Sequence, residues 1–309
     1  MFKDRRVLAT IAILMTIIFW GISASSNKIV LREVPPATLA LIRFTIATFV
    51  LFIINKIKNP EIKCHKVDRL QVLLCGAVGV TLYFIFENYG LSYISAANGT
   101  ILLASIPLFT IIVEAIITRT PIELKKAIGV MLSVLGVVFV IGKSISVSSN
   151  PNEILGSLLM LGAAFSWVFY SIMNKKLEGK YPTLYLSYQQ NLYGAVFLFP
   201  LALLERKSWQ PIGAISWVNI MYLALICSAL CYYLYLYALN NLGATKTNIY
   251  INLMPLVGVI AAYIILGERL YSMQLIGGFF ILLGIYVVNY LGDKKAHNSS
   301  SEEVSPQIQ

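Results

Sequence analysis

Charge is scarce in this sequence, and that scarcity excludes most soluble proteins. Only 12% of the 309 residues are charged, whereas 58% are hydrophobic and the mean hydropathy is +0.76. Soluble domains carry charge on about a quarter of their residues. Most of this chain must therefore be solvated by lipid. Its long apolar runs lack the alternation of β-barrel strands, so we expect an all-α membrane protein whose helices satisfy their own backbone groups.

Histidine and cysteine are also rare, which argues against catalysis and metal binding. The two histidines, His65 and His297, lie in a basic loop and a polar tail, so the apolar runs lack the commonest general base. The four cysteines show no metal-ligand spacing. There is no HExxH or GxSxG motif, and the glycines of the run 136–144 are one residue too far apart for a phosphate loop. We expect no enzyme activity, no cofactor and no metal.

The apolar runs that are present predict ten transmembrane spans. A helix needs about 20 apolar residues to cross the hydrocarbon core of a bilayer. Runs of this kind, numbered here as spans one to ten, lie at residues 7–27, 36–55, 70–91, 97–118, 124–142, 154–174, 183–204, 214–240, 245–266 and 271–291. The segment 293–309 is polar without apolar periodicity, and we expect a disordered cytoplasmic tail.

Lysine and arginine are unevenly distributed across the predicted membrane. With both termini in the cytoplasm, seventeen of the 24 fall on the inner side and Arg43 falls within span two. The outer side receives Lys28, Arg32, Lys143, Arg206, Lys207 and Arg269. This bias follows the positive-inside rule and accounts for the net charge of +10 without a nucleic-acid partner. The basic loop 56–69 could alternatively bind anionic lipid headgroups.

The chain repeats itself after about half its length. Trp20 and the pair Asn27-Lys28 return 147 residues later as Trp167 and the pair Asn174-Lys175. The predicted units are a first half at 1–146 and a second half at 147–292, followed by the tail at 293–309. Each half holds five spans, and because five is odd the second half must enter the membrane from the opposite side. The fold is therefore expected to be two inverted five-helix repeats, with the substrate path between them.

Three charged residues lie well within predicted spans, where a charge is costly unless it faces a cavity or a partner. These are Arg43, Glu87 and Glu114. By helical rise, Arg43 lies roughly 10 Å and Glu87 roughly 6 Å below the outer ends of spans two and three. The two could pair or share an ionic substrate site, whereas Glu114 could snorkel to the inner interface. We interpret Arg43 and Glu87 as substrate-binding residues, and Glu87 and Glu114 as coupling or gating residues; structural ion pairs are the alternative.

Aromatic residues occupy unusual depths in the spans. Trp20 and Trp167 lie about 14 residues into theirs, deeper than the interfacial belt where tryptophan is expected. The other aromatic candidates are Tyr83, Tyr89, Tyr170 and Tyr237. Flat rings can stack on a substrate or hold a cation, and a buried tyrosine hydroxyl needs a partner. We predict that these residues line a substrate cavity, with core packing as the alternative.

Polar residues in the second half complete the predicted binding site. Gln190 takes the place in span seven that Arg43 holds in span two. Span nine is polar before its proline, and Tyr250 and Asn252 are the candidates there. Their spacing cannot put every polar residue of this segment on one helical face. We therefore expect local unwinding or a wet cavity.

Matched prolines interrupt two of the spans. Pro107 in span four returns 148 residues later as Pro255 in span nine. A proline inside a helix removes a backbone hydrogen bond and bends or loosens the helix. Matched breaks in two halves point to a binding site or a hinge. We interpret both prolines as gating residues, with a passive kink as the alternative.

Taken together, these features resemble the drug/metabolite transporter superfamily, EamA type. The resemblance covers residues 7–291 and rests on Phe19-Trp20-Gly21, the two Asn-Lys pairs, Pro107, Pro255, the turn Leu266-Gly267-Glu268-Arg269 and the glycines of span ten. It implies a ten-helix secondary transporter of the cytoplasmic membrane, often an exporter of amino acids or other small metabolites. The first half has Arg119-Thr120-Pro121 where the second has Gly267-Glu268-Arg269. We therefore interpret Glu268 as a loop or helix-start residue rather than a substrate ligand.

The sequence thus predicts a secondary active transporter with a cavity enclosed by spans one, three, four, six, eight and nine. It would export a small organic solute, an amino acid or a related metabolite or drug, by alternating access, with proton coupling as a hypothesis. Its partners would be the solute and the lipid bilayer, and a monomer and a homodimer stay open. A nucleotide-sugar or lipid-linked-sugar carrier is the first alternative, but it should place more Lys or Arg within the spans than Arg43. A membrane sensor or assembly protein should append a soluble domain.

Overall fold

The protein is helical throughout the part of the chain that its computed structural model describes. This part is residues 2–292 apart from 59–60, 120, 123, 148–151, 178, 243–249, 251–252 and 270. Within it every regular element is a helix, and helix is found in each of the ten predicted spans. The prediction of an all-α fold is confirmed. Asn252 and the tail 293–309 lie outside the described residues.

The first half begins with two uninterrupted helices, followed by two irregular spans. Its helices are Phe2–Val30, Pro36–Lys58, Lys66–Gly76 continuing through a π-helix at Ala77–Leu82 into Tyr83–Tyr93, then Ala96–Leu103, Ile106–Thr118 and Leu124–Val147. The second half follows the same plan. Its helices are Asn152–Lys175, Thr183–Leu204, Ala214–Met221 continuing through a π-helix at Tyr222–Leu230 into Cys231–Leu242, then Met254–Leu266 and Ser272–Gly292.

Length and composition identify most of these helices as membrane spans. Six are long and apolar enough to cross a bilayer: Arg5–Val30, Pro36–Lys58, Lys66–Tyr93, Ala96–Thr118, Asn152–Asn174 and Ala214–Tyr235. Shorter apolar helices lie at Ala127–Val140, Met254–Leu266 and Ser272–Val287. Large apolar side chains such as Phe49, Val138 and Phe199 are exposed on the outside of the bundle. In water such a surface would be unstable, whereas in a bilayer it is solvated by acyl chains.

The two halves interleave rather than standing side by side. Span one packs on spans eight and nine, span two on span seven, and span three on span six. Span four packs on spans six and nine, and span five on span ten. Each of these pairs joins one half to the other. The polar and aromatic interior therefore lies at the junction of the halves.

Spans five and ten touch backbone to backbone because both carry small residues. A Cβ at Gly277 would come within 2.7 Å of the Gly136 carbonyl oxygen, and one at Gly284 would overlap Ser133. Between lipid-solvated helices, close approach of this kind gains van der Waals contact that larger residues would prevent.

Both prolines follow a break in a helix instead of lying inside one. Span four ends its outer segment at Leu103, turns at 104–105, and resumes with Pro107 in the first turn of Ile106–Thr118. Pro255 likewise lies in the first turn of Met254–Leu266. Proline is well tolerated there because its missing N–H would have no partner in any case. In span four the turn at 104–105 divides the span into two segments, which is a sharper interruption than the bend predicted from sequence. In span nine, residues 243–249 and 251–252 lie outside the described residues.

Candidate functional site

Six aromatic side chains meet where spans one, three, six and eight cross. This aromatic cluster consists of Trp20, Tyr83, Trp167, Tyr170, Tyr232 and Tyr235. Trp167 is central: its ring centroid is 6.1 Å from that of Trp20, 5.2 Å from Tyr83 and 5.1 Å from Tyr170. The rings of Tyr232 and Tyr235 lie 5.7 and 5.6 Å from Trp20. Four predicted residues from three separate spans are thus brought together.

Local backbone irregularity helps to seat these rings. The indole nitrogen of Trp20 donates to the carbonyl oxygen of Cys227 at 3.0 Å, and Cys227 lies in the π-helix of span eight. A π-helix changes the register of the main-chain bonds and is frequent at functional sites. In the matching π-helix of span three, Gly79 lies directly against the ring of Tyr170, so that any larger residue would overlap the ring. The aromatic geometry therefore depends on both halves.

Arg43 is buried beside the cluster and is held from both halves. Its Nε donates to the Ser228 hydroxyl of span eight at 2.6 Å. The guanidinium lies 4.6 Å from the Phe84 ring centroid and 5.4 Å from that of Phe44, a cation–π arrangement. Only 3% of Arg43 is exposed. A guanidinium has five N–H donors, so Ser228 uses one and others can serve a carboxylate.

Glu87 lies on span three, close to Arg43 but not in contact with it. One carboxylate oxygen, Oε1, is 3.3 Å from the donating hydroxyl of Tyr83, and Oε2 is buried without a hydrogen-bond partner. Arg43 and Glu87 form no ion pair within 4.0 Å, but they are close enough for an electrostatic interaction. The ion pair found among the described residues is that of Lys180 with Asp68. The structure thus holds a cation and an anion apart in one buried region.

Further unpartnered polar atoms lie on spans one and three. They belong to Ser25, Asn27 and Asn88, all of which are buried. Asn27 lacks a partner for both its amide nitrogen and its amide oxygen. Buried polar groups are nearly always hydrogen-bonded, so a concentration of unpartnered ones marks a region that accommodates water or a polar solute.

The residues of the second half that match Arg43 and Asn27 bond to each other. Gln190 donates from Nε2 to Asn174 Oδ1 at 2.8 Å and accepts from the Tyr170 hydroxyl at 2.9 Å. Gln190 is the counterpart of Arg43, and Asn174 is the counterpart of Asn27. The repeat therefore pairs Arg43 and the unpartnered Asn27 with a neutral, hydrogen-bonded Gln190 and Asn174, although Ser187 and Asn191 beside Gln190 on span seven also carry buried polar atoms without a partner.

The remaining predicted residues lie outside the aromatic cluster. The Tyr89 hydroxyl donates to Glu205 at 2.7 Å, just beyond the end of span seven. Tyr250 packs against the apolar group that contains Ile13 and Ile17. The backbone oxygen of Tyr237 accepts from Asn241 within span eight. Glu114 is half-buried in the inner segment of span four, and Asn252 falls outside the described residues.

Several site residues were not found from the sequence. Ser228 and Tyr235 carry no signal of their own, because serine and tyrosine are common in spans and only the fold brings them to Arg43 and Trp20. Asn27 belongs to the repeated Asn-Lys pair, so its repetition could have marked it as a candidate. Glu205 follows span seven in a polar loop and would be read as a solvated residue.

The chain matches the model of the EamA-like transporter family twice, at residues 7–142 and 154–290. The chain belongs to this family. The two matches fall one in each half of the repeat, and together they cover the ten spans described above. Transport, rather than catalysis, is the activity for which the family is named.

Relatives over nearly the full chain agree with the family assignment. A chain from Archaeoglobus fulgidus, described as an uncharacterized transporter, is 29% identical over 88% of this chain and 94% of its own length. The uncharacterized transporter YetK of Bacillus subtilis is 27% identical over 92% of this chain and 87% of its own. A probable terminal-alkyne amino-acid exporter of Streptantibioticus cattleyicolor is 24% identical over 90% of this chain and 92% of its own length.

A solved crystal structure shares the fold. It superposes with a TM-score of 0.65 and covers 94% of this chain and 99% of its own. Its sequence identity is 19%, so the likeness concerns architecture alone. The EamA-like arrangement of helices is thus found in a second protein of very different sequence.

Proposed function

We propose that this EamA-like transporter exports an amino acid or a related small zwitterionic metabolite across the cytoplasmic membrane. The observation that carries the proposal is the separation of Arg43 from Glu87 beside the aromatic cluster. Arg43 would bind the carboxylate of the solute, and Glu87 would bind its ammonium group. The rings would contact the side chain. A relative named as a probable amino-acid exporter supports this choice of solute.

Charge complementarity favours a solute that carries both signs. A lone buried charge is costly, whereas two opposite charges held apart are each stabilised when a zwitterion bridges them. Among the described residues Arg43 is the cation that is buried beside the cluster, so a doubly negative solute would meet one cation there. The proposed substrate therefore has one carboxylate and one amine.

Alternating access would move the solute by rocking the two interleaved halves around this site. The breaks before Pro107 and Pro255 would let the outer and inner segments of spans four and nine move separately. Proton coupling would use Glu87, which must bind either a proton or the ammonium group when the site is desolvated. Glu114, in the inner segment of span four, is the second candidate for coupling. Both termini would lie in the cytoplasm, as the positive-inside bias predicts.

Export can be tested with the purified protein in liposomes. Liposomes loaded with a mixture of amino acids are diluted into solute-free buffer with and without an imposed pH gradient, and efflux is followed by mass spectrometry. We expect faster efflux of at least one amino acid than from protein-free liposomes, and a further increase with the pH gradient. Equal efflux of every amino acid from both preparations would overturn the proposed substrate class. An unchanged rate with the gradient would overturn proton coupling alone.

Metabolite profiling of growth medium extends the test to solutes outside the loaded mixture. Cells that overexpress the protein are compared with cells that lack it, and with cells that express Arg43→Gln. The proposal expects an amine-containing carboxylate in excess in the first medium only. No reproducible difference would count against export.

A further inference from the structure

A glutamate in the turn after span nine caps the first residues of span four. Glu268 accepts from the backbone N–H of Ala96 at 2.9 Å and from that of Ala97 at 3.0 Å, one bond to each carboxylate oxygen. Ala96 and Ala97 begin the outer segment of span four and are completely or almost completely buried. The first N–H groups of a helix have no partner within the helix and favour negative charge. Glu268 therefore satisfies, from the second half, two donors of the first.

A second glutamate makes the same kind of bond at span two. Glu205 accepts from the backbone N–H groups of Ala37 at 3.0 Å and Thr38 at 2.7 Å. It also accepts from the hydroxyls of Thr38 and Tyr89. Glu205 lies just after span seven in the second half, whereas all of these donors belong to the first half. The direction of the contact is the same as for Glu268.

A third glutamate, Glu33, belongs to the first half and accepts a hydrogen bond from the second. Glu33, between spans one and two, accepts from the backbone N–H of Gly213 at 2.9 Å, immediately before span eight. This N–H and the nearby hydroxyl of Ser216 hold the pKa of Glu33 below its usual range. The three carboxylates together form what we call the outer latch: Glu33, Glu205 and Glu268. Each of its members caps a helix of the opposite half.

The outer seam beneath the latch is tightly closed. All eight residues of the outer segment Ala96–Leu103 are buried. Thr100 lies against Gly258 of span nine so closely that a Cβ on that glycine would overlap it. At the same level, Gln274 at the start of span ten donates to Asn98 at 2.6 Å. An opening that moves span four away from spans nine and ten would have to separate all of these contacts.

The three latch carboxylates have no carboxylate at the matching positions of the repeat. By the shifts of 147 and 148 residues, the sequence counterparts of Glu33, Glu205 and Glu268 are Lys180, Lys58 and Thr120. None of these is a carboxylate. The inner face has a different cross-half contact, in which Asp68 accepts from Lys180 at 3.0 Å and from the Tyr181 hydroxyl at 2.9 Å. Lys180 is half exposed, and ion pairs in water contribute little.

We propose that Glu268, supported by Glu205 and Glu33, is the outer gating residue, and that the resting transporter is therefore closed to the outside. The inference rests on the alternating access proposed above, but not on the identity of the solute. Opening outward requires the bonds from Glu268 to Ala96 and Ala97 to break. Because the matching positions on the inner face carry Lys180, Lys58 and Thr120 instead of carboxylates, the two end states differ in stability, and the charge distribution of the repeat sets which one is preferred.

Cysteine labelling from the outside tests the latch directly. The four native cysteines are replaced by serine or alanine, and Thr100→Cys places one thiol in the closed outer seam. A membrane-impermeant maleimide is added to sealed vesicles whose outer face is exposed. Glu268→Gln is expected to raise the labelling rate about tenfold, the change that follows from loss of one charge-assisted hydrogen bond. Glu205→Gln should raise it less, and Glu33→Gln, which removes a single backbone bond to Gly213, least.

Glu61→Gln is the matched control, because it removes one carboxylate from an exposed position in the loop between spans two and three. It should leave the labelling rate unchanged. Ala262→Cys, in the same buried apolar group as Ala97 and Ile101, is a second reporter should Thr100→Cys impair folding. Equal rates in Glu268→Gln and the parent, with both reporters reactive after denaturation, would overturn the proposal. So would an equal increase in Glu61→Gln.

The result is independent of the proposed substrate. Faster labelling without export of any solute would keep the latch and reject the proposed function. Export of an amino acid with labelling rates that are insensitive to Glu268 would keep the function and reject the latch.

Discussion

Two positions that the repeat makes equivalent have become chemically opposite. In the second half, Gln190, Tyr170 and Asn174 bond to one another and leave that small network neutral. In the first half, Arg43 replaces the glutamine and Asn27 is left without partners. A saturated network stabilises the fold, whereas an unsaturated charged one is ready to bind. The comparison shows how, in a duplicated fold, residues of one half can stabilise the structure while the matching residues of the other half bind the solute.

The largest effect is expected from making the first half resemble the second. Arg43→Gln keeps a hydrogen bond to Ser228 within reach but removes the cation that would bind a carboxylate. Efflux of the proposed amino-acid substrate should fall by about tenfold to a hundredfold, the range for losing a hydrogen bond to a charged group. The measurement is initial efflux from liposomes. Arg43→Lys, which keeps the charge but not the planar fork, should recover part of the rate.

A somewhat smaller effect is expected at Glu87. Glu87→Gln removes the carboxylate whose Oε2 has no partner and keeps the contact with Tyr83. Efflux should fall about tenfold, since an amide binds an ammonium group less strongly than a carboxylate does, and the residual rate should no longer respond to a pH gradient. Glu61→Gln is again the control. A residual rate that still follows the gradient would assign coupling to another group, with Glu114 the first to examine.

The aromatic cluster should affect affinity more than the maximal rate. Trp20→Ala removes a ring that contacts Trp167, Tyr232 and Tyr235, and it frees the carbonyl of Cys227. We expect a several-fold rise in KM for solutes with large side chains and little change for glycine or alanine. Trp20→Phe should restore most of the affinity. Equal effects on small and large amino acids would indicate a structural role instead.

The smallest effect on transport is expected from the second-half network, where the loss should appear as instability. Gln190→Leu leaves the Tyr170 hydroxyl and the Asn174 amide without their partner. Leaving buried polar groups unsatisfied costs about 1–3 kcal/mol each. The melting temperature in detergent should fall, while efflux per folded molecule stays close to that of the parent protein. A loss of transport with an unchanged melting temperature would contradict the claim that the second-half network serves stability rather than binding.

The sequence predicts the architecture well because its signals are long and repeated. Apolar runs of span length, the duplication around Trp20 and Trp167 and the positive-inside bias each depend on many residues. The helical fold and the family membership are confirmed. The orientation in the membrane stays a prediction.

The site is harder to predict because it depends on contacts between residues far apart in the chain. Arg43 and Glu87 stand out in the sequence as charges in apolar runs, whereas Ser228 gains its role only from the π-helix and the crossing of span eight. Tyr89 matches Tyr237 in sequence, yet its hydroxyl bonds to Glu205 near the outer end. No local pattern reveals that a loop glutamate will cap a helix of the other half.

Direct binding to the purified protein tests the central claim, which is that the first-half charges and the aromatic cluster form the solute site. Radiolabelled amino acids are screened by scintillation proximity against the parent protein, Arg43→Gln, Glu87→Gln and Gln190→Leu. The account predicts saturable binding of at least one amino acid to the parent and to Gln190→Leu, and its loss in Arg43→Gln and Glu87→Gln. Binding of equal strength to all four proteins would contradict it.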